Sequence, residues 1–157
     1  MEISWGEVFR GKVVVVGIGN ILRGDDAFGP RMIENLAGKT DAALVDAGAA
    51  PESFVGKITR SDPDTVLLVD ACSMGKRPGE YSVLEKNDLL KCGFTTHDIS
   101  PNLFIEFLES QTSARIFLLG VQPLDVSTGS EMSEPVARTL EDLTTIFLEN
   151  IGCTSRT

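Results

Sequence analysis

The sequence predicts an α/β fold: a mostly parallel twisted sheet covered by helices in a single domain. Val13–Val16 form an unbroken β-branched run, which is typical of a central strand buried on both faces. Two further short apolar segments end in acids, and segments with helical apolar spacing separate or follow these strands. The 157 residues have the size of one domain, which we expect to span 1–157 with a core from about 11 to 152.

The first strand leads through a glycine turn into a helix. Gly17 and Gly19 allow the backbone to turn sharply after the valines, and Phe28 to Leu36 keeps apolar residues at helical spacing. Asp25 and Asp26 precede this helix. Because open α/β sheets usually bind ligands at the carboxyl ends of their strands, a functional site is predicted here.

Two more strands follow, each with an acid at its predicted end. Ala42–Asp46 and Thr65–Ala71 are short and apolar, and Ser53–Ile58 between them is predicted to be a brief helix. Right-handed crossovers would bring the ends of these parallel strands to one edge of the sheet. Asp46 and Asp70 are therefore expected at that edge, where Asp70 would face solvent or a partner.

The rest of the chain contains shorter signals. Apolar spacing and turn residues predict an edge strand at Glu80–Leu84, a helical turn at Lys86–Leu90, a loop at Cys92–Ser100, a helix from Pro101, a buried strand at Arg115–Val121 and a terminal helix from Ser133 to about Asn150. We expect Ser133 to cap the terminal helix with its side chain.

Composition excludes several classes of function. The net charge of -9 argues against a nucleic-acid partner, which requires a concentration of Lys and Arg on one face. The longest apolar runs are too short to span a membrane, and the N-terminus lacks the layout of a signal peptide. Three cysteines without a CxxC pair fit a reducing compartment, so we expect a cytoplasmic protein in which Cys72 is a small buried residue.

The GIGN segment resembles the start of a dinucleotide-binding fingerprint. The glycines Gly17, Gly19 and Gly24 give GxGxxxxG instead of GxGxxG. Asp25 and Asp26 would also lie where a pyrophosphate needs bare N–H groups, and carboxylates repel phosphate. Nucleotide binding is therefore disfavoured.

A three-ligand metal site is a second interpretation of the polar residues. Aspartate near a helix start often only caps N–H groups, and a lone loop histidine such as His97 is most often ordinary. If the histidine loop folds over the sheet edge, one of Asp25 and Asp26 could join Asp70 and His97. Two carboxylates and an imidazole suit nickel or zinc, whether held by this protein or by another molecule.

Five segments carry a resemblance to a known family: GIGNILRGDDAFGP, DAGAAPE, LLVDACSMGKRPGE, TTHDIS and LLGVQP. In order and spacing they resemble the hydrogenase maturation endopeptidases, specifically those that process the large subunit of nickel-iron hydrogenases. The resemblance implies a three-layer α/β/α sandwich and metal contacts at Asp26, Asp70 and His97. We expect Asp26 and Asp70 to be catalytic. Substrate contacts are expected at Gly19, Asn20, Asp25 and Asp46.

The resemblance also implies a mechanism. Members of this family remove a short C-terminal extension from the large-subunit precursor after nickel insertion, and the nickel in the substrate serves as the recognition element. The enzyme then needs no metal of its own and no tightly bound organic cofactor. Either the metal activates the water, or an aspartate does so as general base in an aspartic-type mechanism. We expect a monomer that docks the precursor, with no nucleic-acid or membrane partner.

One residue departs from the family pattern. Ala27 follows the second aspartate, where the family usually has glycine. Alanine would strain or narrow the site if this position needed a positive φ or a close approach of the substrate backbone. It would be harmless if it were already the first helical residue, which we favour.

Two other functions remain open at the level of sequence. A nickel-binding or carrier module would bind metal without proteolysis. A small metal-dependent peptidase would hold its own metal tightly and cleave short peptides.

Overall fold

The structure is a computed structural model that describes residues 3–86, 88, 93–94 and 101–151. Its strands are β1 (Val13–Ile18), β2 (Ala43–Gly48), β3 (Thr65–Ser73), β4 (Tyr81–Leu84), β5 (Gly93–Phe94) and β6 (Arg115–Val121). Its helices are α1 (Trp5–Val8), α2 (Phe28–Leu36), α3 (Val55–Thr59), α4 (Pro101–Gln111) and α5 (Glu134–Asn150). Two 3-10 turns, Gly24–Ala27 and Pro51–Phe54, precede α2 and α3.

The sheet has the strand order β2-β1-β3-β6-β4. The first four strands in that order are parallel, and β4 runs antiparallel to β6 at one edge. The valine strand β1 is central, and all six of its residues are buried. The predicted central strand, edge strand and mostly parallel sheet are confirmed.

Helices cover both faces of the sheet. Alternate residues of each strand point to opposite faces, so Val13 and Val15 join a core with α1, α2 and α5. Val14 and Val16 join a second core with α3 and α4. The molecule is therefore the expected three-layer α/β/α sandwich. None of the described helices is long and apolar enough to cross a membrane.

Some predicted boundaries differ from the structure. The third strand continues two residues beyond Ala71 to Ser73. The predicted loop at Cys92–Ser100 contains a two-residue strand, β5, which pairs antiparallel with Cys72 and Ser73. The other residues of that loop, and most of the predicted helical turn at Lys86–Leu90, lie outside the described residues.

Candidate active site

The turn after β1 holds Asp26 close to the end of that strand. The N–H of Asn20 donates a 2.7 Å hydrogen bond to Oδ2 of Asp26. Gly19 has φ of 142° in the same turn, and a Cβ at this position would overlap the carbonyl oxygen of Asp26. The close approach of these two backbone segments therefore requires glycine. Gly19 and Asn20, which the sequence predicts as substrate contacts, position the backbone and carboxylate of Asp26.

Asp70 lies within β3 and is fully buried. Its Oδ1 accepts a 2.8 Å hydrogen bond from the N–H of Ala71, and Gly120 of β6 is its partner across the strands. The 3-10 turn that carries Asp26 packs against β3. The structure thus brings the segments of Asp26 and Asp70 together at the carboxyl edge of the sheet.

The sequence predicts that Asp70 faces solvent or a partner, but the structure turns neither it nor Asp26 towards solvent. Asp26 and Asp70 are both 0% exposed. The strand of Asp70 continues to Cys72 and Ser73, which pair with β5, and Gly29 in the first turn of α2 lies against Ile18 at the end of β1. A buried carboxylate must be compensated by hydrogen bonds or an opposite charge. Hydrogen bonds or an opposite charge therefore stabilise the ionised carboxylates of Asp26 and Asp70.

The side chain of Asp25 points away from Gly19 and contacts a later segment of the chain, between Leu124 and Ser133. It is fully buried, and its carboxylate accepts hydrogen bonds from Leu124, Asp125 and Ser133. Ser133 precedes α5 but does not cap it as predicted, because its hydroxyl donates to Asp25 instead of accepting from a helix N–H.

Ala27 adopts a helical conformation, with φ of −74° and ψ of −4°. It is the last residue of the 3-10 turn and leads directly into α2. A glycine is not required by the backbone at this position, because alanine adopts these angles without strain. Ala27 therefore needs no positive φ.

Asp46 lies on the neighbouring strand β2 and is exposed. Its Oδ1 accepts a 3.2 Å hydrogen bond from the N–H of Gly48, which is a local turn contact. The carbonyl of Gly48 in turn accepts from the N–H of Gly19, at 2.8 Å. Asp46 thus belongs to the same sheet edge as Asp26, one strand away.

His97 lies outside the described residues. Within the described part of the chain, no group of three or more His, Cys, Asp or Glu side chains is arranged to hold a metal ion. Cys72 is buried and not in a disulfide, as expected for a small core residue.

Gln122 supports the backbone near Asp70. This residue is not among the site residues that the sequence predicts. Its Oε1 accepts hydrogen bonds from the N–H groups of Met74, at 2.6 Å, and Lys76, at 3.2 Å. It thereby fixes the loop that follows β3, the strand of Asp70. The signal in the sequence is the LLGVQP segment, in which Gln122 follows a buried strand directly.

Asp125 is an exposed acid in the segment that contacts Asp25. Hydrogen bonds from the hydroxyl and the N–H of Ser127 hold the pKa of its carboxyl below the ordinary value. The loop near Asp25 therefore carries a negative charge at neutral pH.

Comparison with known proteins identifies the family. A family model described as hydrogenase maturation protease, HycI, matches residues 30–150. The hydrogenase 3 maturation protease of Escherichia coli K12 is 34% identical over 131 residues, which are 82% of this chain and 83% of that protein.

Solved structures agree in fold and in sequence. The NiFe hydrogenase maturation protease HycI from Thermococcus kodakarensis KOD1 superimposes with a TM-score of 0.84 and 34% identity, covering 93% of this chain and 97% of that one. The endopeptidase HycI from Escherichia coli gives a TM-score of 0.79 and 30% identity, covering 90% and 92% of the two chains. The chain therefore belongs to the hydrogenase maturation proteases and is a peptide-cleaving hydrolase.

Proposed function

We propose that this protein removes a C-terminal extension from the large-subunit precursor of a nickel-iron hydrogenase after nickel insertion. The observation that supports the proposal most strongly is the placement of Asp26. The carboxylate of Asp26 is buried at the carboxyl edge of the parallel sheet, where Gly19 and Asn20 hold it. The chain that carries Asp26 belongs to a protease family. The turn that carries it packs against the strand of a second buried carboxylate, Asp70.

The chemistry of these residues suits a metal that arrives with the substrate. Carboxylate oxygens and an imidazole nitrogen are ligands that divalent nickel accepts. We propose that Asp26, Asp70 and His97 engage nickel held by the precursor, so that nickel in the substrate is the recognition element and the enzyme needs no resident metal. A precursor without nickel would then lack the group that the site binds.

Hydrolysis requires an activated water near the scissile bond. A metal ion can lower the pKa of a bound water, or one of the carboxylates can take the proton as general base. In both cases Asp26 and Asp70 are the catalytic groups that this chain contributes. We also propose that the reaction takes place in the cytoplasm, which the odd number of cysteines and the lack of a CxxC pair favour.

The roles of the proposed ligands are tested by Asp26→Asn and His97→Ala. Each variant should abolish release of the C-terminal fragment from a nickel-loaded precursor, measured by mass spectrometry. The variant Asp26→Asn keeps an oxygen that can accept from Asn20, so its melting temperature should stay close to that of the wild type.

The matched control is Asp142→Asn, which removes the same charge at an exposed position on α5. It should cleave at the wild-type rate. Normal cleavage by either site variant would contradict the proposed set of ligands.

A further inference from the structure

Asp25 is a buried carboxylate whose partners all come from a segment about 100 residues later in the chain. Its Oδ2 accepts from the N–H groups of Leu124, at 2.8 Å, and Asp125, at 3.1 Å. Its Oδ1 accepts from the N–H of Ser133 at 2.7 Å. The hydroxyl of Ser133 donates to both oxygens, at 3.0 and 2.8 Å. Three N–H groups and one hydroxyl therefore surround this side chain.

These dipoles compensate the buried charge of Asp25. Within the described part of the chain, no Lys, Arg or His forms an ion pair with it. Ser133 directly precedes α5, a 17-residue helix, so the carboxylate also lies at the positive end of that helix. Because a buried charge is stable only when its lone pairs are satisfied, the later segment must stay in place around Asp25.

The same segment also binds the backbone of Asp25 and the residues that lead into the turn. The N–H of Asp25 donates to the carbonyl of Asp125 at 2.9 Å, and Nε of Arg23 donates to the carbonyl of Val126 at 3.1 Å. The carbonyl of Leu22 accepts from the N–H of Gly129 at 2.8 Å. One side of the 3-10 turn is thus fixed by residues 124–133.

The other side of the turn is fixed by the glycine at the end of β1. The carbonyl of Asp26 lies so close to Gly19 that no side chain fits between them. The Asp26 carboxylate is aimed back at the N–H of Asn20. Asp25 and Asp26 therefore face opposite ways, and one anchors the turn from which the other projects.

We propose that Asp25 is a positioning residue: by binding residues 124–133 it holds the turn that places the Asp26 carboxylate against Asn20. It acts through the backbone and does not contact substrate. Two measurements test this role. The kinetics of precursor cleavage rest on the proposed function, whereas an NMR measurement on the amide of Asn20 does not.

The first test follows the backbone amide of Asn20 by NMR in Asp25→Asn. The amide group of asparagine replaces one acceptor oxygen by a donor, which then faces the N–H groups that Asp25 binds. The turn should shift, the hydrogen bond to Asp26 should lengthen, and the Asn20 proton should move upfield. An exposed acid of the same segment provides the control Glu131→Gln, which should leave that proton unchanged. An unshifted Asn20 proton in folded Asp25→Asn would overturn the proposal.

The second test separates kcat from KM for precursor cleavage. Small displacements of a catalytic group reduce the rate strongly, so kcat of Asp25→Asn should fall by roughly 10- to 100-fold while KM stays unchanged. A rise in KM at constant kcat would indicate a substrate contact and overturn the proposal. If the wild type cleaves no precursor, the proposed function fails, and the NMR result still decides the role of Asp25.

Ser133→Ala tests the same network without altering the acid. It removes the hydroxyl donor to Asp25 and keeps the N–H donor. The Asn20 proton should move in the same direction as in Asp25→Asn, but less. This variant keeps the proposal testable if Asp25→Asn does not fold, and an unchanged Asn20 proton together with unchanged kcat would contradict it.

Discussion

The absence of a side chain at Gly19 allows β1 and the following turn to come into close contact. Its φ of 142° lies in a region that side chains rarely adopt, and the Asp26 carbonyl occupies the place of a Cβ. Two constraints therefore require glycine at position 19: its own φ angle and the contact with the backbone of Asp26, a proposed catalytic acid.

Replacing Gly19 by alanine should disrupt the site and the fold together. Backbone strain of this kind amounts to roughly 1–3 kcal/mol, to which the overlap with Asp26 adds. We expect Gly19→Ala to lower the free energy of unfolding in urea by at least that amount and to stop cleavage.

The control for this prediction is Gly48→Ala on β2. Gly48 also has a positive φ, 55°, but a Cβ there meets no atom within 4 Å. It should lose only the roughly 1–2 kcal/mol that a left-handed backbone costs a side chain. Equal losses in the two variants would show that the contact with Asp26 is unimportant.

The two neighbouring aspartates illustrate what the sequence could predict at the scale of a residue. Position between a buried strand and a helix indicates a site near Asp25 and Asp26, and the structure places both there. Nothing local distinguishes their environments, because the partners of Asp25 lie up to 108 residues away. The different orientation of the two carboxylates is a tertiary property.

At the scale of the element, α2 rests directly on the end of β1 and on the middle of β3. A Cβ on Gly29, in the first turn of α2, would overlap the carbonyl oxygens of Ile18 in β1 and Val69 in β3. Gly17 faces this helix in the same way, with the carbonyl of Gly29 in the place of its Cβ. This close contact fixes where the helix begins and hence where the preceding Asp26 lies.

We expect Gly29→Ala to separate α2 from the sheet. Backbone atoms surround the position, so relaxation is limited, and the loss of stability should reach or exceed the roughly 1–3 kcal/mol of an overpacked core. Thermal unfolding followed by circular dichroism measures it.

Gly56→Ala is the matched helical control. Gly56 lies in α3 and a Cβ there meets nothing within 4 Å, so alanine should be neutral or stabilise by up to about 1 kcal/mol. A Gly29→Ala protein as stable as Gly56→Ala would refute the role assigned to the close helix–sheet contact.

Elements were predictable where the hydrophobic pattern is long. The valine run and the spacing of Phe28–Leu36 predict β1 and α2 within the bounds observed. The hydrophobic pattern did not predict where β3 ends. Asp70 interrupts the apolar run and suggests a strand end, although the strand continues to Ser73. The strand β5 has two residues, too few for any periodicity, and it exists through pairing with β3.

At the scale of the molecule, the order of strands and acids predicts the architecture. Parallel strands β1, β2 and β3 bring Gly19, Asp46 and Asp70 toward one edge because right-handed crossovers leave no other arrangement common in proteins. The burial of Asp26 and Asp70 was not predictable, since it arises from tertiary packing that leaves no local signal in the sequence. Residues 124–133, which anchor the turn through Asp25, carry no pattern that indicates their distant contacts.

Under the proposed function, this protease cleaves its precursor only when nickel is present in the substrate. The most direct measurement is incubation of the protein with a nickel-loaded large-subunit precursor and, in parallel, with the same precursor without nickel, followed by a gel-shift assay. A shortened product is expected from the loaded precursor alone. Equal cleavage of both forms would contradict nickel-dependent recognition, and cleavage of neither form, with loading verified, would contradict the assignment of this substrate.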